Sequence, residues 1–251
     1  VDPGALFDRI RPLFTSPGVI ELNHPWGEPE FGRDLGFPRA IGMDCSKPLP
    51  RSDDGSASGR FHRTPPGATS RNDGHDAQEV MNGSKNGTHL EYRAVWFCFL
   101  NQGKVYTGTA NSDSHGLADN AIGTPRNVVW AATTPAAFAT ATFNAAVREG
   151  RVLGTNGPVI DATLKSGSDV LRPGVAAVTP AADAVLSIKV RAAPWVPVRE
   201  VRIIVNGSVA ARYEGLPLAA DPFGTADLDR FSRDVQLSEL LPAGNKDAWI
   251  V

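Results

Sequence analysis

The sequence predicts an α/β region followed by an antiparallel β region, and two changes along the chain carry that expectation. Up to about Thr155, apolar runs of strand length alternate with well-signalled helices, which argues for an α/β barrel or a doubly wound sheet. Beyond that point period-2 strands take over, with Asn206-Gly207 as a two-residue hairpin signal. The division puts residues 1–155 in an α/β unit and residues 156–251 in an antiparallel β-sandwich. With 251 residues, 41% of them hydrophobic and 21% charged, the chain has an ordinary globular composition. A chain of this size buries roughly 70–75% of its unfolded surface.

The elements follow in order. Ala5 to Leu13 reads as a short helix, Ser16-Pro17-Gly18 as a turn, and Val19-Ile20-Glu21-Leu22 as a buried strand ending at Asn23-His24-Pro25. Pro48 to Asp76 is crowded with Gly, Pro, Ser, Asp and Arg and reads as a long irregular loop, of the kind that is usually functional or mobile. Gln78 to Met81 is a strand closed by Asn82-Gly83. Thr88 with Glu91 forms a capping box that opens a helix running to Asn101-Gln102-Gly103. Val105 to Ala110 is a strand that delivers Asn111-Ser112-Asp113-Ser114-His115-Gly116 at its carboxyl end. Val128 to Ala131 is the next strand, followed by a helix capped by Thr134, with Pro135 in its first turn and Glu149-Gly150 as its stop. Strands at Val185 to Val190, Val201 to Val205 and Val209 to Tyr213, and the alternation of Phe231, Val235 and Leu237, make up the β region.

A net charge of -2 supplies no field for nucleic acid or an anionic bilayer, so neither is expected as a partner. The longest apolar stretch, Ala94 to Leu100, falls far short of the ~20 residues a membrane-spanning helix needs. Two cysteines, Cys45 and Cys98, are too few for a disulfide framework and leave the redox compartment undecided; Cys98 reads as a buried, inert thiol. The chain holds neither a Gly-rich phosphate loop nor a Gly-x-Ser-x-Gly elbow, which demotes nucleotide binding through such a loop and serine hydrolysis.

Asp113-Ser114-His115 is the most specific local pattern. Residues i and i+2 of a strand project from one face, so this carboxylate and imidazole can close on one cation; the competing reading is a turn-capping Asp beside a surface His. His24, at another strand end and followed by Pro25, is either a simply hydrogen-bonded residue or a ligand of the same ion. Glu79 and Asn82 stand at a third strand end, as ligands, as groups that orient a ligating His, or as a solvated edge and a turn. Arg126 is a candidate clamp for a phosphate or carboxylate, or a surface Arg paired with an acid. His62, His75 and His89 read as non-ligands.

Taken together, Leu22-Asn23-His24-Pro25, Gln78-Glu79-Val80-Met81-Asn82-Gly83, Gly108 to Gly116, Gly123-Thr124-Pro125-Arg126-Asn127, Gly150-Arg151 and Thr155-Asn156-Gly157-Pro158 resemble the PHP-domain metallohydrolases of the CehA/McbA-type branch. The resemblance implies a distorted (β/α)7 barrel with two or three divalent ions, Zn, Mn or Fe, at the carboxyl ends of its strands. It implies His24, Asp113 and His115 as metal ligands and catalytic residues, with Glu79, Asn82 and Arg126 lining the substrate site. No His-x-His precedes His24, so only the second half of such a barrel is expected, joined to a β-sandwich truncated at its C-terminus, where Asp247 to Val251 reads as a strand without a turn.

The expected activity is hydrolysis of a small-molecule ester, a phosphoester by default or a carbamate or carboxylic ester, by a metal-activated water. A complementing chain or oligomer partner would supply what the first half lacks. The rival expectation is a non-catalytic module whose β-sandwich engages carbohydrate or a partner protein. The compartment is left open between cytoplasm and export.

Overall fold

The computed structural model describes residues 2–26, 36–41, 43–44, 47–83, 86–116, 120–244 and 247–251. The chain divides into two units, Val1–Gly154 and Thr155–Val251.

Helix α1 (Pro3–Ile10) opens the first unit, with Pro3 pre-set for the first turn, and tightens into a 3-10 turn over Arg11–Leu13. Its Gly4 lies so close to the 63–72 segment that a Cβ would run into the Ser70 carbonyl oxygen, and its amide donates to Asn72 Oδ1 at 2.9 Å. Three parallel strands follow in the spatial order β1 (Glu21–Leu22), β2 (Ala77–Asn82), β3 (Thr107–Asn111). Short helix α2 (Phe37–Ala40) lies between β1 and β2 in sequence, and α3 (Asn86–Asn101) connects β2 to β3. α3 starts two residues before Thr88, so the expected capping position falls inside the helix. It lies on the sheet through Trp96, whose indole donates to the Tyr106 carbonyl at 2.8 Å and whose ring fills the space a Cβ on Gly108 would need.

The barrel expected from the resemblance is overturned. Its repeating alternation of parallel strand and helix is absent from the described residues; they hold one three-stranded parallel sheet and a separate two-stranded sheet, β4 (Arg126–Val129) with β5 (Val152–Thr155). Three strands cannot curl round to close a barrel. The outer edge of β3 is met by a side chain instead of a continuing ladder: Asn127 accepts from the Ala110 amide at 2.8 Å and donates to its carbonyl at 3.0 Å. The helix expected from Thr134 is also divided. Thr134 caps a 3-10 turn, Pro135–Ala137, the chain extends at Phe138 and Ala139, and α4 (Thr140–Arg148) then begins.

The long polar segment before β2 is a packed part of the unit. Phe61, on a 3-10 turn at Ser58–His62, is fully buried beside Phe99, Val95 and Tyr106. Buried Asp73 gathers Arg71 at 2.8 Å and Lys104 at 2.9 Å, with His62 at 3.5 Å. His75 stacks on Tyr106 with ring centroids 3.8 Å apart, and neither ring nitrogen has a partner among the described residues. Burial pushes its pKa down to about 3, so the ring stays neutral in the core. Cys98 is disulfide-bonded, which corrects the reading of an inert thiol; the only other cysteine, Cys45, lies outside the described residues.

The second unit is antiparallel, but its sheets are unequal. β6 (Val159–Ser166), β7 (Asp169–Leu171), β8 (Val185–Arg191) and β11 (Asp229–Gln236) form a four-stranded sheet in the order β11-β8-β6-β7. β9 (Glu200–Val205) and β10 (Ser208–Glu214) form a ribbon around Asn206-Gly207, both residues having positive φ as a tight hairpin requires. Ile188 and Val190 from β8, Val201, Ile203 and Val205 from β9, and Val235 from β11 share one core with Leu240. Leu237 does not extend the last strand; it opens a short helix, α5 (Leu237–Leu240).

Candidate functional site

β1, β2 and β3 run parallel, so their carboxyl ends share one edge, and the polar side chains of the first unit converge there. Glu79 is the hub, although it is only 1% exposed. Its Oε2 accepts from both the backbone amide and Nδ1 of His24, each at 3.0 Å; its Oε1 accepts from Asn82 at 3.0 Å and from Asn111 at 3.1 Å. Four donors on one buried carboxylate satisfy it in place of water.

A local irregularity makes this possible. In a regular strand Glu79 and Asn82, three residues apart, would face opposite sides of the sheet. The register between β2 and β3 slips between Glu79 and Met81, and this bulge turns both side chains to the same side. His24, just past β1, is held in the left-handed region at φ 57°, a conformation costly for a residue with a Cβ. The two bonds from Glu79 hold both its backbone and its ring. In the tautomer with its proton on Nδ1, that hydrogen faces the carboxylate and Nε2 carries the lone pair.

A further carboxylate, which the sequence reading passed over, belongs to the same edge. Glu21 on β1 accepts from Asn111 at 2.7 Å and from the Thr109 hydroxyl. One Asn111 amide nitrogen therefore bridges Glu21 and Glu79, keeping two carboxylates within reach of a single donor. The available signal was a glutamate inside the apolar run Val19 to Leu22, where an unpaired charge would be expensive.

Asp113 and His115 lie beyond the end of β3. Asp113 also has a positive φ, 50°, and its carboxylate meets His115 Nε2 at 2.9 Å; His115 is well exposed. Their loop is tied back toward β2: Ser114 donates to the Asn120 carbonyl, Asn120 donates to the Asp113 carbonyl at 3.4 Å, and the Asn120 amide lies against Gly83, immediately after Asn82. Arg126 stays apart. It is exposed and curls back onto the Gly123 carbonyl at 3.0 Å.

The expected ligands therefore stand apart, His24 paired with Glu79, and Asp113 paired with His115. Among the described residues no three of His, Cys, Asp and Glu converge as a metal cage. The donor chemistry fits a divalent ion in kind, because imidazole and carboxylate are its usual ligands and a buried carboxylate behind a His is the usual support of a ligating ring. In number, each pair needs a further donor. No family model, curated protein or solved structure matches this chain.

Proposed function

We propose that this carboxyl edge is the protein part of a metal-dependent hydrolase centre acting on small-molecule esters, phosphoesters first, as the resemblance to PHP-domain metallohydrolases implies. The observation that carries the reading is the His24–Glu79 pair: a buried carboxylate meets Nδ1 of a half-exposed imidazole at 3.0 Å, the arrangement that supports a ligating ring through its other nitrogen. His24 Nε2 on one side, and Asp113 with His115 on the other, would each offer donors to a metal, Zn, Mn or Fe, with the remaining donors from a complementing chain or a second copy. When bound, such an ion lowers the pKa of a coordinated water and polarises the ester oxygen under attack. Glu79 orients His24, Asn82 and Asn111 hold Glu79, and Asn111 keeps Glu21 beside it. Arg126 would meet an anionic substrate group after leaving the Gly123 carbonyl.

Elemental analysis of protein purified without chelator tests the reading, together with hydrolysis of p-nitrophenyl phosphate and p-nitrophenyl acetate. We expect bound Zn, Mn or Fe and turnover of an ester, both lost in Asp113→Ala. Metal-free protein inert toward both esters in added metal, or a variant with full metal content and unchanged rate, overturns it. A second reading, a non-catalytic binding module for carbohydrate or a partner protein, draws on the aromatic side chains of Trp195 and Phe223, exposed at 66% and 92% in the second unit. Retention of the chain on immobilised polysaccharide, lost in Trp195→Ala, with no hydrolysis, supports it.

A further inference from the structure

At the opposite, amino edge of the parallel sheet, the chain entering β1 (residues 14–18), Arg11 and Arg148 at the end of α4 line an open, solvent-facing depression of about 370 Å³. Two arginines, Arg11 and Arg148, line this one space. Arg11 is anchored, donating to the Gly74 carbonyl at 2.5 Å and approaching Asp76 at 3.4 Å. Arg148 makes a single long contact, 3.5 Å to the Gly18 carbonyl, and has no carboxylate partner among the described residues. Its chain neighbour Glu149 is taken by Arg151 at 2.7 Å. Asp76, which also accepts from the Ile20 amide at 2.8 Å, pairs with Arg11, so among the described residues one carboxylate stands against the two cations. Phe14 is pressed on Gly18 so closely that a Cβ there would run into the ring, and Asn144 on α4 donates to the Pro17 carbonyl at 3.0 Å.

We propose that this depression binds the phosphate group of a small phosphorylated molecule, separately from the carboxyl-edge site. A tetrahedral oxyanion offers enough acceptors for two guanidiniums and the Thr15 and Ser16 hydroxyls together, whereas a carboxylate has two oxygens to share. The volume exceeds a bare phosphate, and the Phe14 ring with Pro17 gives the organic remainder an apolar wall. Arg11, already oriented by Gly74 and Asp76, is the fixed arm of the clamp. Arg148 is the arm that closes on the ligand.

The test is calorimetric titration of the full chain with phenylphosphonate, whose P–C bond resists hydrolysis. We expect saturable binding, about tenfold weaker in Arg148→Gln, from the loss of one charge-assisted contact. Arg148→Lys, which keeps the charge and loses the fork, is expected to bind with intermediate affinity, and Asp113→Ala to bind like the unaltered protein. Absence of binding, equal binding in both Arg148 variants and the unaltered chain, or loss of binding in Asp113→Ala overturns the proposal; the last places the anion at the carboxyl edge.

Discussion

Glu79 concentrates the chemistry of the first unit in one side chain, because its carboxylate contacts His24, Asn82 and Asn111. Glu79→Ala should cost about 2–4 kcal/mol in urea unfolding, since it leaves buried donors without an acceptor. Glu79→Gln keeps the shape but sets an NH2 against two of the four donors, so it should cost less stability than the Ala variant while lowering metal content. His75 makes the opposite kind of prediction. Its folded pKa is depressed to about 3, far below the ordinary value for the unfolded chain, so its contribution is complete above that ordinary value and is lost as pH falls. Between about pH 6 and about pH 4 the chain should lose roughly 1.4 kcal/mol of stability per pH unit on this account. Urea midpoints across that range should be flatter in His75→Phe, which keeps an aromatic ring against Tyr106 without a titrating nitrogen.

Elements were legible where a local signal was sufficient. The Asn206-Gly207 hairpin, the Thr134 cap and the strand ahead of Asp113 all rest on residues whose conformational preferences act within a few positions. The break between the 3-10 turn and α4 was not legible, because Phe138 and Ala139 carry no breaker signal and extend only in their tertiary setting. Nor was the bulge in β2, which depends on how that strand registers with β3. Gly83 connects two such elements. It has φ +51° and lies against Asn120, which supports the Asp113 loop. Gly83→Ala should cost about 1–2 kcal/mol from the left-handed backbone and the displaced amide. The same substitution should weaken metal retention, as measured by dialysis against chelator, without touching a proposed ligand.

For the molecule as a whole, one covalent constraint stands out. Cys98 is disulfide-bonded and the sequence offers Cys45 as its only counterpart. Thiol titration of the unreduced, denatured chain should therefore find no free thiol, and reduction should cost about 2–4 kcal/mol, typical of closing a long loop. Two cysteines far apart in sequence do not declare a pairing, because only the fold decides whether their Cβ atoms meet. Closure of the sheet was equally hidden. Alternating strand and helix signals are common to several α/β architectures, and the choice among them lies in long-range edges, here with Asn127 covering the end of β3. By itself the sequence determined the alternation of elements and turns, the weak overall field, and the local pairing of Asp113 with His115, because each follows from neighbours along the chain. Only the tertiary structure decided that Glu21 joins the site, that Glu79 and Asn82 face one way, and that the parallel sheet of the described residues stops at three strands, because register and strand pairing are set by contacts between residues far apart in the chain.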